Sequence, residues 1–416
     1  MASASFAPLR HRGFALALGS NFISSTGTWM QSVALGVYLT VTTHNAVWLG
    51  LLTVAAWLPA LIGSPIGGVM ADRYSRQRWI QFNNLAQAAA ASALAVAELT
   101  HHLSAPLACY LAVAEGFCSS ASWAAWQSLL PDLVAPGEVL AAVSLGSAQF
   151  NLGRIIGPVL AAFTLAVGNP GWCFAANAIS FIVVVIAFSF VRTPQREKSS
   201  TRLAIVSETI VGIRMAWRTP GCRNAISAVG IVALLISPFI TLVPAMAIDV
   251  LHSGKVGTSW LVTAQGVGAV IGALTLPALA RRTSRLAVLR GSMVAMAVME
   301  GIYAYAPNLV WSALSLVLLG GAYVGTLTGL NTAVQLHAPT KERSRILSLY
   351  VLSLSLFFPI GALTQAALSH HFGVRPVSLV ASAVFFVVLV SLSFILPQYW
   401  RQMTTDPSQL ALSVAD

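Results

Sequence analysis

Two side chains of this sequence stand where a charge is expensive. Glu115 lies in ACYLAVAEGFCSS and Arg154 in FNLGRIIGPVLAA, both long apolar runs. Near the centre of a bilayer such a charge costs at least ~2.5–3.5 kcal/mol, and it normally faces a partner or a wet cavity. An isolated acid and base of this kind admit two chemistries. Glu115 can accept and release a proton, with an affinity set by burial, by Arg154 and by a bound substrate, or the two can form a permanent ion pair between adjacent helices. Glu300, toward the outer end of a later apolar run, is a further proton-coupling candidate, and Glu98 is placed at the outer interface. Other chemistries find little support. SGKVG around Lys255 lacks the Ser or Thr of a phosphate-cradling loop, so ATP is not the expected energy source. The eight histidines fall almost all in polar connections, and Cys109, Cys118, Cys173 and Cys222 show neither CxxC nor metal spacing. The expectation is no enzyme, no cofactor and no metal.

The elements that must hold these residues follow from composition. Of 416 residues 57% are hydrophobic and 8% charged, and the mean hydropathy is +0.78; a soluble chain is roughly 45–50% apolar. Apolar stretches long enough to cross ~30 Å of hydrocarbon fall at 13–41, 46–70, 79–99, 105–130, 139–167, 171–191, 224–250, 256–280, 286–306, 309–336, 344–369 and 375–397. Runs such as ISFIVVVIAFSFV are apolar on every face, which fits helices in lipid and not the alternating segments of a barrel. The reading is an all-α membrane protein of twelve spans, the first of them a retained helix and not a cleaved leader.

Charge sets the orientation. Of the 23 Lys and Arg, the outer loops hold only Lys255 and Arg375, and Arg154 alone lies inside a span. The positive-inside rule then puts both termini in the cytoplasm of a cell with this chain in its inner membrane. The net charge of +11 is therefore topological, and no basic soluble module points to nucleic acid.

The longest polar stretch divides the chain into halves, 1–191 and 224–400, with a linker 192–223 and a cytoplasmic tail 401–416. Val206, Ile210, Ile213 and Trp217 recur at helical spacing beside Arg202, Arg214 and Arg218, so part of the linker should lie as an amphipathic helix on the inner leaflet. GVMADRYSRQR after span 2 is echoed by LPALARRTSRL after span 8, and APGEVLAAVSL by APTKERSRILSLY before spans 5 and 11. Duplicated six-helix halves are a transporter architecture with a substrate site near the midplane.

With these features the sequence resembles the major facilitator superfamily over essentially its whole length. Gly68, Asp72, Arg73, Ser75 and Arg76 are similar to its G-x-x-x-D-R-x-G-R-[RK] signature, with Ser75 in place of the glycine. The resemblance implies a conformational latch: Asp72 braces the first half against helix 11, and an arginine pairs with an acid at the end of helix 4, here Asp132. Gly153, Arg154, Gly157 and Pro158 resemble the G-x-x-x-G-P-x-x-G-G motif of drug–proton antiporters, departing from it at Ala161 and Ala162. TWMQSVALGVYL and WLGLLTVAAWLPALIGSPIGGVMADR are similar to the branch of enterobactin-type siderophore exporters and macrolide efflux pumps, with lysophospholipid transporters nearby.

Candidate cavity residues are Asn21, Trp29, Gln31, Trp123, Gln127, Thr241, Gln265, Asn331, Gln335, Tyr350, Phe357 and Gln365. Aromatic rings with a few amides suit a sizeable amphiphile better than a sugar or an inorganic ion. The expected function is export of a siderophore or amphipathic drug in exchange for protons, by a monomer whose partners are its small-molecule substrate, protons and the lipid bilayer. The alternative is a lysophospholipid or small-metabolite transporter, or an importer, of the same fold.

Overall fold

The computed structural model describes residues 6–191, 213–339 and 343–404, the side chains of Asp72, Pro277, Ser344, Pro397 and Thr404 apart. The linker expected at 192–223 and the tail from 401 lie largely outside the described residues. Helices account for nearly all the rest. In the first half they are α1 (Arg12–Thr43), α2 (Val47–Trp57), α3 (Ala60–Arg73), α4 (Arg76–Leu99), α5 (Ala105–Leu129), α6 (Val139–Val167) and α7 (Gly171–Ser189). The second half has α8 (Pro220–Leu235), α9 (Phe239–Ala245), α10 (Gly254–Arg282), α11 (Arg285–Ala304), α12 (Leu309–His337), α13 (Arg343–Phe372), α14 (Val374–Ile395) and α15 (Pro397–Thr404).

Nine helical segments among the described residues are long and apolar enough to cross a membrane. Three other segments expected to span, α1, α4 and α5, are helices of 32, 24 and 25 residues that carry more of the amides and hydroxyls. They include Asn21, Ser25 and Gln31 in α1 and Asn83, Asn84 and Gln87 in α4.

Local chemistry sets the boundaries. His44 closes α1 in the left-handed conformation (φ 46°), its N–H donating to the carbonyl of Thr40, and Asn45 Oδ1 accepts from Val47 N to start α2. Pro59 cannot donate a backbone bond, and the second span is broken there into α2 and α3. The two serines of the repeated loop are helix N-caps: Ser75 accepts from Arg78 N at 3.5 Å and Ser284 from Ala287 N at 3.0 Å. A capping requirement thus explains the serine in both copies.

The seventh span breaks in the same way. Pro238 has no N–H for the carbonyl of Leu234, four residues back, and Gln365 from α13 supplies one. Its Nε2 donates to Leu235 O at 2.7 Å and approaches Leu234 O at 3.5 Å.

The chain divides into two compact units, Met1–Leu203 with His252–Thr263 and Ala204–Leu251 with Ala264–Asp416. In the first, α1 packs on α6 and α7, α4 on α5 and α7, and α3 on α5. In the second, α8 packs on α13 and α11 on α12 and α14. The pairings of spans 1 with 5, 3 with 4 and 3 with 6 therefore recur as 7 with 11, 9 with 10 and 9 with 12. Phe14, Ile80, Trp126, Leu129 and Phe188 form the main core of the first unit. In the second, α15 is tied to α8: Tyr399 Oη donates to Asn224 O at 2.7 Å, and Asn224 Nδ2 donates back to Tyr399 O at 3.1 Å. Burial pushes the Tyr399 phenol above its ordinary range, which keeps it a donor.

Candidate functional site

Three helices of the first unit meet around Gln31 of α1, which is 3% exposed. Its Nε2 donates to Glu115 Oε2 of α5 at 2.5 Å, and its Oε1 accepts from Asn177 Nδ2 of α7 at 2.9 Å. Asn177 Oδ1 in turn accepts from Ser180 Oγ at 3.0 Å. Each amide is therefore oriented by its neighbours, and the N–H end of Gln31 must face the carboxyl group. Glu115 Oε1 is buried with no hydrogen-bond partner among the described residues. A proton arriving at Glu115 has its place on that oxygen, because the other is occupied by a donor.

The chain depends on a close approach. A side-chain carbon at Gly27 of α1 would lie 2.6 Å from Asn177 Oδ1 and 2.7 Å from Ser180 Oγ, so only glycine leaves room for the amide. Sequence reasoning missed Asn177; its one signal is an amide within the apolar run GWCFAANAISFIVVV.

Arg154 of α6 meets α1 elsewhere. Its guanidinium lies over the ring of Trp29, 5.3 Å from the centroid. Trp29 and Gln31 are two residues apart on a helix and so point about 200° apart. The described contacts of Arg154 and Glu115 are thus with different faces of α1.

An aromatic cluster extends from Trp29. Phe150 of α6, also missed in the sequence, packs edge-on to Trp29 at 6.1 Å and tilted against Trp123 of α5 at 5.8 Å. Trp123 remains 48% exposed, and Gln127 one turn on is exposed too. Gln149 donates to Asn21 O at 3.0 Å and to Ser25 Oγ. Asn21 spends its own amide on Ala17 O.

Small residues bring α6 onto α1. A side-chain carbon at Gly157 would fall 2.6 Å from Trp29 Cβ and 2.7 Å from Thr26 O, and one at Gly153 would fall 3.1 Å from Ser25 Cβ. Pro158 is buried within the helix that these glycines seat. At the end of α4 toward the signature loop, Arg76 Nη1 donates to Asp132 Oδ2 at 2.6 Å and to Ser128 O at 2.8 Å. The arginine that meets Asp132 is therefore Arg76; Arg73 is exposed at the end of α3, Gly68 lies within α3, and the Asp72 side chain is outside the described residues. His11 and Glu138 form a second contact at 2.7 Å.

Among the described contacts, the candidates of the second unit do not gather into a comparable group. Gln365 serves the broken span described above, and Tyr350 Oη donates to Leu327 O at 2.8 Å. Asn331 and Gln335 bond to each other along α12 at 2.6 Å. Thr241 and Gln265 are buried, and Phe357 lines a groove with Trp217. Glu300 of α11 is fully buried, and neither carboxyl oxygen has a hydrogen-bond partner among the described residues.

Membrane helices in two internally repeated sets, with isolated charges on helices otherwise apolar, define a transporter of the major facilitator type. A crystal structure of a mutant nucleoside transporter, NupG, shares this fold with a TM-score of 0.77, covering 92% of this chain and all of that one at 12% identity. The chain belongs to the transmembrane secretion effector family, whose model matches residues 3–412. It is 24% identical to the staphyloferrin A transporter of Staphylococcus aureus (strain NCTC 8325 / PS 47), over 85% of this chain and 89% of that protein. It is 25% identical to the multidrug efflux pump Tap of Mycolicibacterium fortuitum, over 82% and 85%. To the enterobactin exporter EntS of Salmonella choleraesuis (strain SC-B67) it is 26% identical, over 80% and 79%. Family and relatives are transporters, and the chain is a multi-pass membrane protein of that kind.

Proposed function

We infer that this chain is a secondary active exporter of a siderophore or an amphipathic drug, driven by proton antiport through alternating access. The observation that carries the reading is the carboxyl of Glu115, buried in α5 and held by Gln31 through one oxygen, with the other left over. Protonation of that oxygen neutralises a buried charge without breaking the Gln31 contact, so one helix arrangement can accommodate both states. The aromatic faces of Trp29, Phe150 and Trp123 lie on α1, α6 and α5, the first and last of which also carry Gln31 and Glu115, and suit a planar or amphipathic organic molecule. The names of the relatives, two of which specify export or efflux, support the direction.

In this reading Arg154 helps to fix the α1–α6 contact through Trp29. The Arg76–Asp132 pair belongs to the latch, with Asp72 as its third member, and Glu300 is a reserve proton site. Twelve spans, halves at 1–191 and 224–400, cytoplasmic termini, an inner-membrane location and a monomer complete the proposal.

Proteoliposomes with an imposed pH gradient test it. Wild type should move a siderophore or hydrophobic drug against the proton flow, and Glu115→Gln should still bind the compound while losing the gradient dependence. Unchanged dependence in Glu115→Gln would remove the proton site from α5. Uptake in the direction of the proton flow would replace export by the importer reading.

A further inference from the structure

The second unit carries a groove that the proton and aromatic groups proposed in the first unit do not use. Residues 213–218 are helical and run directly before α8, and between this turn, α8 and α13 lies a groove of about 190 Å³. Its walls are apolar, with Leu352, Leu356 and Phe357 on one side and Ile226 on the other, and Ser353 is a hydroxyl among them. At its mouth stand Trp217, 63% exposed, and Arg223, which is exposed and whose Nε contacts Asn224 Oδ1 at 3.4 Å. Arg214 and Arg218, the residues that follow Ile213 and Trp217 in sequence, are exposed as well.

An apolar slot with a tryptophan and an arginine among its lining residues matches one molecule end to end: an acyl chain for the slot, the ester region for the indole, a phosphate for the guanidinium group. Tryptophan settles at the headgroup level of membranes, and basic pockets between membrane helices hold anionic headgroups. Among the described residues, no acidic side chain lines the groove to oppose that charge. We propose that this groove binds one anionic phospholipid, its phosphate at Arg223 and one acyl chain along Leu352, Leu356 and Phe357. The lipid would join the turn at 213–218 to α8 and α13, the segments it touches. The assignment of the groove to the cytoplasmic leaflet rests on the topology proposed above; the binding site itself does not.

Native mass spectrometry of the full chain, titrated with phosphatidylglycerol or phosphatidylcholine of identical acyl chains, tests the site. Wild type should retain one phosphatidylglycerol in preference to phosphatidylcholine. Arg223→Gln should lower that preference about fivefold, the effect of one interfacial arginine, and Arg223→Lys should keep it. Ser353→Trp, which fills the slot, should lower retention of both lipids while melting as wild type does in lipid-free detergent. If Ser353→Trp does not fold, Leu352→Ser, which makes the wall polar, is read instead and should lower retention of both lipids. Phosphatidylglycerol preference unchanged in Arg223→Gln, or retention unchanged in the slot variant that folds, overturns the proposal. Displacement of the lipid by inorganic phosphate would also overturn it, leaving a phosphate site. Detergent solution presents the lipid without sidedness, so the result is independent of membrane orientation and of the direction of transport.

Discussion

Gln31 spends both ends of its amide, one on Glu115 and one on Asn177, so its loss leaves two buried groups without partners and not one. Gln31→Leu should destabilise the protein by about 2–6 kcal/mol, at roughly 1–3 kcal/mol for each group, and should shift the pH dependence of transport. Thermal unfolding in detergent and the proteoliposome assay read the two effects separately. Gly27→Ala attacks the same chain from behind, because the new methyl would meet Asn177 Oδ1 at 2.6 Å. It should lower the melting temperature and disable transport without touching any ionisable residue. A variant with wild-type stability and transport would show that the amide chain has no function.

Between elements, the α1–α6 seam makes a graded prediction. Gly157→Ala places a carbon against Trp29 Cβ and a backbone carbonyl at 2.6–2.7 Å, whereas Gly153→Ala meets its nearest neighbour at 3.1 Å. Overpacking costs typically ~1–3 kcal/mol, so Gly157→Ala should be clearly destabilised and Gly153→Ala much less. Equal effects would mean that the seam adjusts as a whole. The Arg76–Asp132 contact joins the start of α4 to the turn after α5, with side chains 13% and 26% exposed. A double-mutant cycle with Arg76→Ala and Asp132→Ala should give a coupling of about 1–2 kcal/mol, above the exposed-pair range. If the pair belongs to the latch, the two single variants should also alter transport equally; a stability coupling with normal transport would confine the pair to structure.

For the whole molecule the distribution of arginine governs insertion. A fluorescent protein fused after residue 416 should fold and fluoresce in the cytoplasm, while a periplasmic reporter at the same point should be inactive. The opposite result would invert every assignment of inner and outer ends. Adding arginines beside Lys255 and Arg375, in the segments read as outer, should reduce correctly inserted protein.

Helix limits were legible in the sequence, because length, apolar runs and capping residues act locally. The sequence places a span at 139–167 and α6 runs Val139–Val167; it places another at 309–336 and α12 runs Leu309–His337. The breaks at Pro59 and Pro238 were written in the proline positions but not read from them. Membership of a transporter family was legible too, through charged motifs at fixed places between apolar runs.

Which polar groups meet was not legible, since it depends on helix rotation and on which helices are neighbours. Glu115 and Arg154 both stand out as isolated charges, and spacing alone allowed them to pair. Among the described contacts, Glu115 meets Gln31 and Arg154 meets Trp29, on opposed faces of α1. Gln365 could equally have been a substrate ligand until the fold set it against the carbonyls freed by Pro238. A chain in lipid must satisfy its backbone within each helix, so the sequence by itself determined the helices and their orientation signal. Side-chain partners are drawn from residues more than eighty positions apart, as with Gln31 and Glu115, and only the tertiary packing of small residues at the helix seams decided them.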